Sequence, residues 1–191
     1  MRGMRSFAIS AALLVATSTP VLADDLGELM ALLAQRSHGH VNFEEEDHLA
    51  LLDHPLHSSG ELLYERPDHL EKRTLAPRAA SMVLQGGTVT LESRGKKRVL
   101  PLRDYPQLAP FIESMRATLA GDRIALERSF QVTFDGSLEH WTLTLAPLDP
   151  KLKALVQKIR IAGTRAELRF LSVSQADGDI SEMTIGSSLP P

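Results

Sequence analysis

Six of the seven histidines, His38, His40, His48, His54, His57 and His69, fall in one stretch with Glu44, Glu45, Glu46, Asp47, Asp53 and Asp68. Imidazole and carboxylate groups ligate zinc and related metals, so this stretch is the first candidate for chemistry. The spacing argues against it: H-E-x-x-H is absent, and His38-Gly39-His40 lacks the i, i+4 separation of a helical metal pair. The competing reading is a polar, solvated hairpin edge. The run Glu44-Glu45-Glu46-Asp47 supplies paired carboxylates, but neighbours on a strand point to opposite faces and cannot flank one bond. There is no cysteine and no G-x-S-x-G elbow, and Ser58-Ser59-Gly60 reads as the entry to a strand. Neither Gly86-Gly87 nor Gly95-Lys96-Lys97 has phosphate-loop spacing or opens a helix. No catalytic residue, metal or cofactor is expected.

The alternative to chemistry is occlusion of an apolar ligand. Leu62, Tyr64 and Arg66 share one face of a strand over 60–66, and Leu70, Lys72 and Thr74 share a face of the next; Met82 with Leu84, and Val89 with Leu91, extend the row. Arg66 is the odd member. Its donors would be satisfied by the unpaired carbonyls at a helix C-terminus, a contact made under a closed helical lid and lost when a ligand opens it. The alternative places it at the strand rim, in water, packed through its stem.

Period-two runs separated by Pro and Gly predict strands over 41–51, 60–66, 69–75, 80–85, 88–93 and 96–101. Gly86-Gly87 and Gly95-Lys96 are the expected hairpin turns. Alternation then resumes at Phe130, Val132 and Phe134, and after an expected Asp135-Gly136 turn at Trp141, Leu143 and Leu145; strands at 157–163, 165–175 and 179–186 finish the chain. Helical spacing marks three helices. One begins near Leu26 behind Asp24 and Asp25, one runs from Tyr105 to Gly121 with Leu108, Phe111, Ile112, Met115 and Leu119 on one side, and a short one follows Asp149-Pro150. No gap is long enough for a parallel crossover. The expected fold is mainly β (α+β): a curved antiparallel sheet of about eleven strands covered by about three helices, packed solidly or around a cavity for an apolar ligand.

Composition bounds the partners. With 21 Lys plus Arg against 24 Asp plus Glu and a net charge of −3, nucleic acid is not expected. Arg2 and Arg5, the apolar run Phe7 to Ala16 and the small-residue site Val21-Leu22-Ala23 predict a cleaved signal peptide over 1–23 and one exported domain over 24–191. The apolar run is shorter than the roughly 20 residues that span a bilayer, so the mature protein is expected to be soluble, not membrane-spanning, and monomeric.

The run Ser59-Gly60-Glu61-Leu62-Leu63-Tyr64-Glu65-Arg66-Pro67-Asp68-His69-Leu70, continuing through Thr74 to Pro77, resembles the S-x-G-x-L-x-x-x-R-P-x-x-L…P signature of the periplasmic outer-membrane lipoprotein carrier family, LolA and its relatives. Gln85-Gly86-Gly87-Thr88-Val89-Thr90-Leu91 replaces the usual Asp-Gly hairpin with following aromatics, which marks a divergent branch. The resemblance implies an incomplete barrel closed by helices over a hydrophobic cavity for acyl chains. It places Arg66 at the family's lid-bonding arginine and Leu70 at a cavity-lining position. On this reading Leu62, Tyr64, Leu70, Met82, Leu84, Val89, Leu91, Val132, Phe134, Trp141 and Leu143 form the inner wall, with Leu29, Leu33, Ile112 and Met115 as the lid and Arg66 as its latch. The implied role is a periplasmic carrier of lipoprotein or lipid acyl chains between an inner-membrane donor and an outer-membrane acceptor. The rival readings are a filled-core interaction module and a metal protein or enzyme using the histidine-rich hairpin.

Overall fold

The computed structural model describes residues 24–105 and 109–188; the segment read as a signal peptide, Leu108 and the side chain of Phe111 lie outside the described residues. After α1 (Asp25–Leu33) come six strands in sequence: β1 (His38–His48), β2 (Leu56–Glu65), β3 (His69–Ala76), β4 (Ala80–Gln85), β5 (Thr88–Ser93) and β6 (Lys96–Pro101). A short 3-10 turn leads to α2 (Ala109–Ala120) and α3 (Arg123–Ser129), followed by β7 (Phe130–Ser137), β8 (His140–Pro147), α4 (Pro150–Lys153), β9 (Val156–Thr164), β10 (Glu167–Gln175) and β11 (Ile180–Ser188).

All eleven strands join one antiparallel sheet in the order β6-β5-β4-β3-β2-β1-β11-β10-β9-β8-β7. Strands adjacent in the sheet are sequence neighbours except at the centre, where β11 returns beside β1. The sheet curls but does not close. Its edges, β6 and β7, are joined in sequence by the segment that carries α2 and α3.

The local chemistry explains most of the elements. In β8, Trp141, Leu143 and Leu145 are buried while Thr142 and Thr144 alternate with them. Gly86 and Gly87 have φ of 56° and 72°, the paired positive angles of a type I′ hairpin. The next hairpin turns on Arg94-Gly95, one residue before the expected pair, because Arg94 takes the first positive φ. The Asp135-Gly136 turn is also corrected. Asp135 and Gly136 pair inside the ladder with Thr142 and Trp141, and the chain reverses at 138–139. Gly136 is required by close approach instead: a Cβ there would lie 2.2 Å from the His140 carbonyl oxygen.

A fourth helix, α3, follows α2 where the sequence pattern marks none. Seven residues are too few to be stable alone, so the element depends on the Asp122 side chain accepting from Ala125 N and on burial of Leu126. Between α2 and α3, Gly121 ends the first helix in a Schellman arrangement, with Gly121 N donating to Thr118 O and Asp122 N to Ala117 O.

The helices cover the two halves of the concave face separately. Leu29, Met30 and Leu33 of α1 pack with Leu126 of α3, Leu152 of α4 and Trp141, Leu143, Leu145, Ile159 and Ile161 of β8 and β9. Ile112, Met115 and Leu119 of α2 pack against Leu70, Leu84 and Val89 of β3 to β5. Between them, Phe43, Met183 and Ile185 form a smaller cluster on β1 and β11, flanked by Val41, Leu62, Leu168 and Leu171.

Candidate functional site

Because α1 and α2 each cover one side, the inward row over the central strands is only partly filled. An apolar cavity of about 130 Å³ lies there. Val41 and Leu62 come from β1 and β2, Leu171 from β10, Met183 and Ile185 from β11, and the helices contribute Leu33, Met115 and Leu119. Strand alternation turns these side chains inward together: Val41 is opposite Leu62, and Leu171 opposite Met183.

The polar groups of the site sit at its boundary. Lys72 follows the apolar row on β3, and its stem lines the cavity while its ammonium reaches both carboxylate oxygens of Glu45, at 2.6 and 2.5 Å. The ammonium also lies 5.0 Å from the centre of the Phe43 ring. Glu45 accepts from Ser58 Oγ at 2.9 Å and Ser181 Oγ at 3.3 Å as well, so hydrogen bonds from three other strands converge on one inward carboxylate. Strand alternation turns Glu44 and Glu46, its neighbours on β1, toward the other side of the sheet. Thr118, on the lid side, donates to Ser114 O at 2.8 Å and brings no unsatisfied hydroxyl to the apolar space.

Arg66 joins the two lid helices. Its Nη1 donates to Ala34 O, at the C-terminal end of α1, at 2.6 Å, and its Nη2 donates to Ala120 O, the last residue of α2, at 3.1 Å. Both carbonyls belong to the unpaired last turn of a helix, where the backbone dipole favours a cation. The helix ends meet because Gly121 is a glycine; a Cβ there would be 2.1 Å from Met30 O and 2.7 Å from Ala34 N. Gly60, in the same motif as Arg66, meets a similar limit, since its Cβ would fall 1.9 Å from Arg73 O on β3.

A family model described as outer membrane lipoprotein carrier protein LolA-like matches residues 18–188. The chain belongs to that LolA-like family. No curated protein matches the chain. Solved structures similar to it include a LolA superfamily protein from Nitrosomonas europaea, 10% identical over 86% of this chain and 93% of that one, with a TM-score of 0.43. A DUF1329 family protein from Desulfovibrio piger is 9% identical over 86% and 90%, with a TM-score of 0.47. LprF from Mycobacterium bovis is 12% identical over 88% and 95%, with a TM-score of 0.38.

Within this LolA-like chain the residues named from sequence divide by depth. Leu62, Tyr64, Leu70, Met82, Leu33 and Met115 line the cavity. Leu84, Val89 and Ile112 lie beside it in the α2 cluster. Trp141, Leu143 and Leu29 are buried in the α1 core, with Val132 and Phe134 packed against it, and Leu91 is 36% exposed on β5. Val41, Leu168, Leu171, Met183 and Ile185 form the cavity's other half, beyond the residues the sequence pattern picks out. Alternation marks those residues as inward, but only the pairing of β11 with β1 brings them to Leu62.

The histidine-rich segment is spread along the strands. His40 approaches Glu61 at 3.2 Å, His48 approaches Glu46 at 3.1 Å, and His69 approaches Glu71 at 3.6 Å. Among the described residues, no group of three or more His, Asp or Glu is placed to hold a metal. None of the described helices is long and apolar enough to cross a membrane.

Proposed function

We propose that this LolA-like protein is a periplasmic carrier that takes up acyl chains of lipoproteins or lipids from an inner-membrane donor and delivers them toward an outer-membrane acceptor. It needs no cofactor and catalyses no reaction. The observation that carries this reading is the apolar cavity whose two helical covers are tied by one arginine.

The cavity volume makes the mechanism specific. An apolar protein cavity of about 150 Å³ holds a single benzene. The present 130 Å³ therefore accommodates a short segment of chain, and loading a long one requires the helices to part. Each buried methylene is worth about 0.8 kcal/mol, so a sixteen-carbon chain gains on the order of 12 kcal/mol before cavity and lid costs. Two hydrogen bonds are a small opposing term, which is the condition for a lid that lipid can open and that still favours release when it recloses.

Native mass spectrometry of protein purified from its own host tests the reading, together with displacement of a fluorescent fatty probe. Bound lipid and a displaceable probe are expected. A lipid-free protein that takes up no probe would leave the filled-core interaction module in its place.

A further inference from the structure

The phenolic oxygen of Tyr64 is buried and has no hydrogen-bond partner. Tyr64 lines the cavity, paired across the sheet with Gly39 and Leu70, and packs in the same cluster as Met115 and Leu119 of α2. None of these side chains offers an oxygen or nitrogen acceptor. The other polar side chains of the cavity lining, Arg36, Lys72 and Thr118, donate elsewhere, to Ala166 O, Glu45 and Ser114 O. A buried donor without an acceptor is costly, and the cost is relieved by whatever brings an acceptor to it.

Resting on the acyl-carrier reading, we infer that Tyr64 reads the ester of the cargo, its hydroxyl donating to the carbonyl oxygen of an acyl ester when the cavity is loaded. The chemistry selects this class. A neutral phenol at ordinary pH is a donor, and an ester carbonyl is an acceptor that needs no counter-charge in an apolar space. A phosphate or carboxylate would lose its hydration there, and the two cations of the cavity lining are already engaged, Arg36 with Ala166 O and Lys72 with Glu45. The position agrees. Tyr64 stands two residues before Arg66, which opens the turn after β2, and it packs with Leu119 next to the α2 end that Arg66 ties. An ester held there leaves its hydrocarbon to run past Leu62 toward Met183.

Ester-linked lipid can come from a phospholipid or from the diacylglyceryl group of a lipoprotein, so two matched pairs are titrated by calorimetry below their micelle concentrations. One pair is dihexanoyl phosphatidylcholine and its dihexyl ether counterpart; the other is a dihexanoylglyceryl-cysteine peptide and its dialkyl ether. The unaltered protein is expected to bind the ester about tenfold more tightly than the ether, the equivalent of about 1.4 kcal/mol, and the pair with the larger preference identifies the source. Tyr64→Phe should bind ester and ether alike, with the ether bound at least as tightly as before. Equal affinities in the unaltered protein, or a preference that survives in Tyr64→Phe, would overturn the inference while leaving the carrier reading intact. If no member of either pair binds, the carrier reading falls with it.

Discussion

Replacing Arg66 by leucine removes both contacts to the ends of α1 and α2 while keeping the backbone bond from Arg66 N to Ser37 O, at 2.9 Å, that anchors the turn. The side chain is exposed, so each contact is worth about 0.5–1.5 kcal/mol rather than the larger value of a buried charged bond. Together they favour the closed lid by about 1–3 kcal/mol, a shift of roughly 5- to 150-fold in the ratio of open to closed forms. A long acyl chain exceeds what the 130 Å³ cavity holds, so cargo binds the opened form and gains affinity when the latch is lost. Arg66→Leu should therefore fold normally and bind a fatty probe more tightly. It should release lipid to an acceptor more slowly, with uptake changed less than release. Stopped-flow transfer from loaded protein to acceptor vesicles measures the rate, and distances between spin labels on α1 and α2 report the lid. Unchanged transfer kinetics together with an unchanged distance distribution would refute the latch.

Four further outcomes follow from the packing and charge. Leu62→Trp places a large ring in the cavity and should lower fatty-probe affinity more than about tenfold while the far-ultraviolet circular dichroism stays native, as expected when apolar volume is filled. Ile159→Ala, at a side chain with 0% exposure, should cost about 2–5 kcal/mol in urea unfolding, whereas Leu91→Ala, at 36% exposure, should cost distinctly less. Gly60→Ala drives a Cβ to 1.9 Å from Arg73 O and should destabilise the β2–β3 pairing by about 3 kcal/mol, read from the urea midpoint. Arg73 donates to Glu71 and holds its carboxyl below the ordinary value of 4.5. That stabilisation is complete above the unfolded value and is lost as pH falls through the lower folded one, so the unfolding midpoints of the unaltered protein and Glu71→Gln should converge on acidification below 4.5.

What the amino-acid sequence determined by itself was local in origin. Period-two alternation placed the strands, because a β side chain's face depends only on parity; Gly86-Gly87 announced a type I′ turn, because both positions need a positive φ. Paired Ser59-Gly60 and Arg66-Pro67 marked the segment that carries the family motif, with Gly60 there because β3 leaves no room for a Cβ. The tertiary structure alone decided which inward side chains became core and which became cavity wall. Trp141 and Leu143 have the same alternation as Leu62 and Met82, but α1, α3 and α4 land on the former and stop short of the central strands. The pairing of β1 with β11 joins residues separated by most of the chain, so no local pattern could place Met183 beside Glu45 or bring Ser181 to its carboxylate. Nor could one announce α3, whose seven residues are held helical by a cap and one buried leucine. Strand identity is written in nearest-neighbour geometry, whereas an enclosed space exists only where distant elements fail to meet.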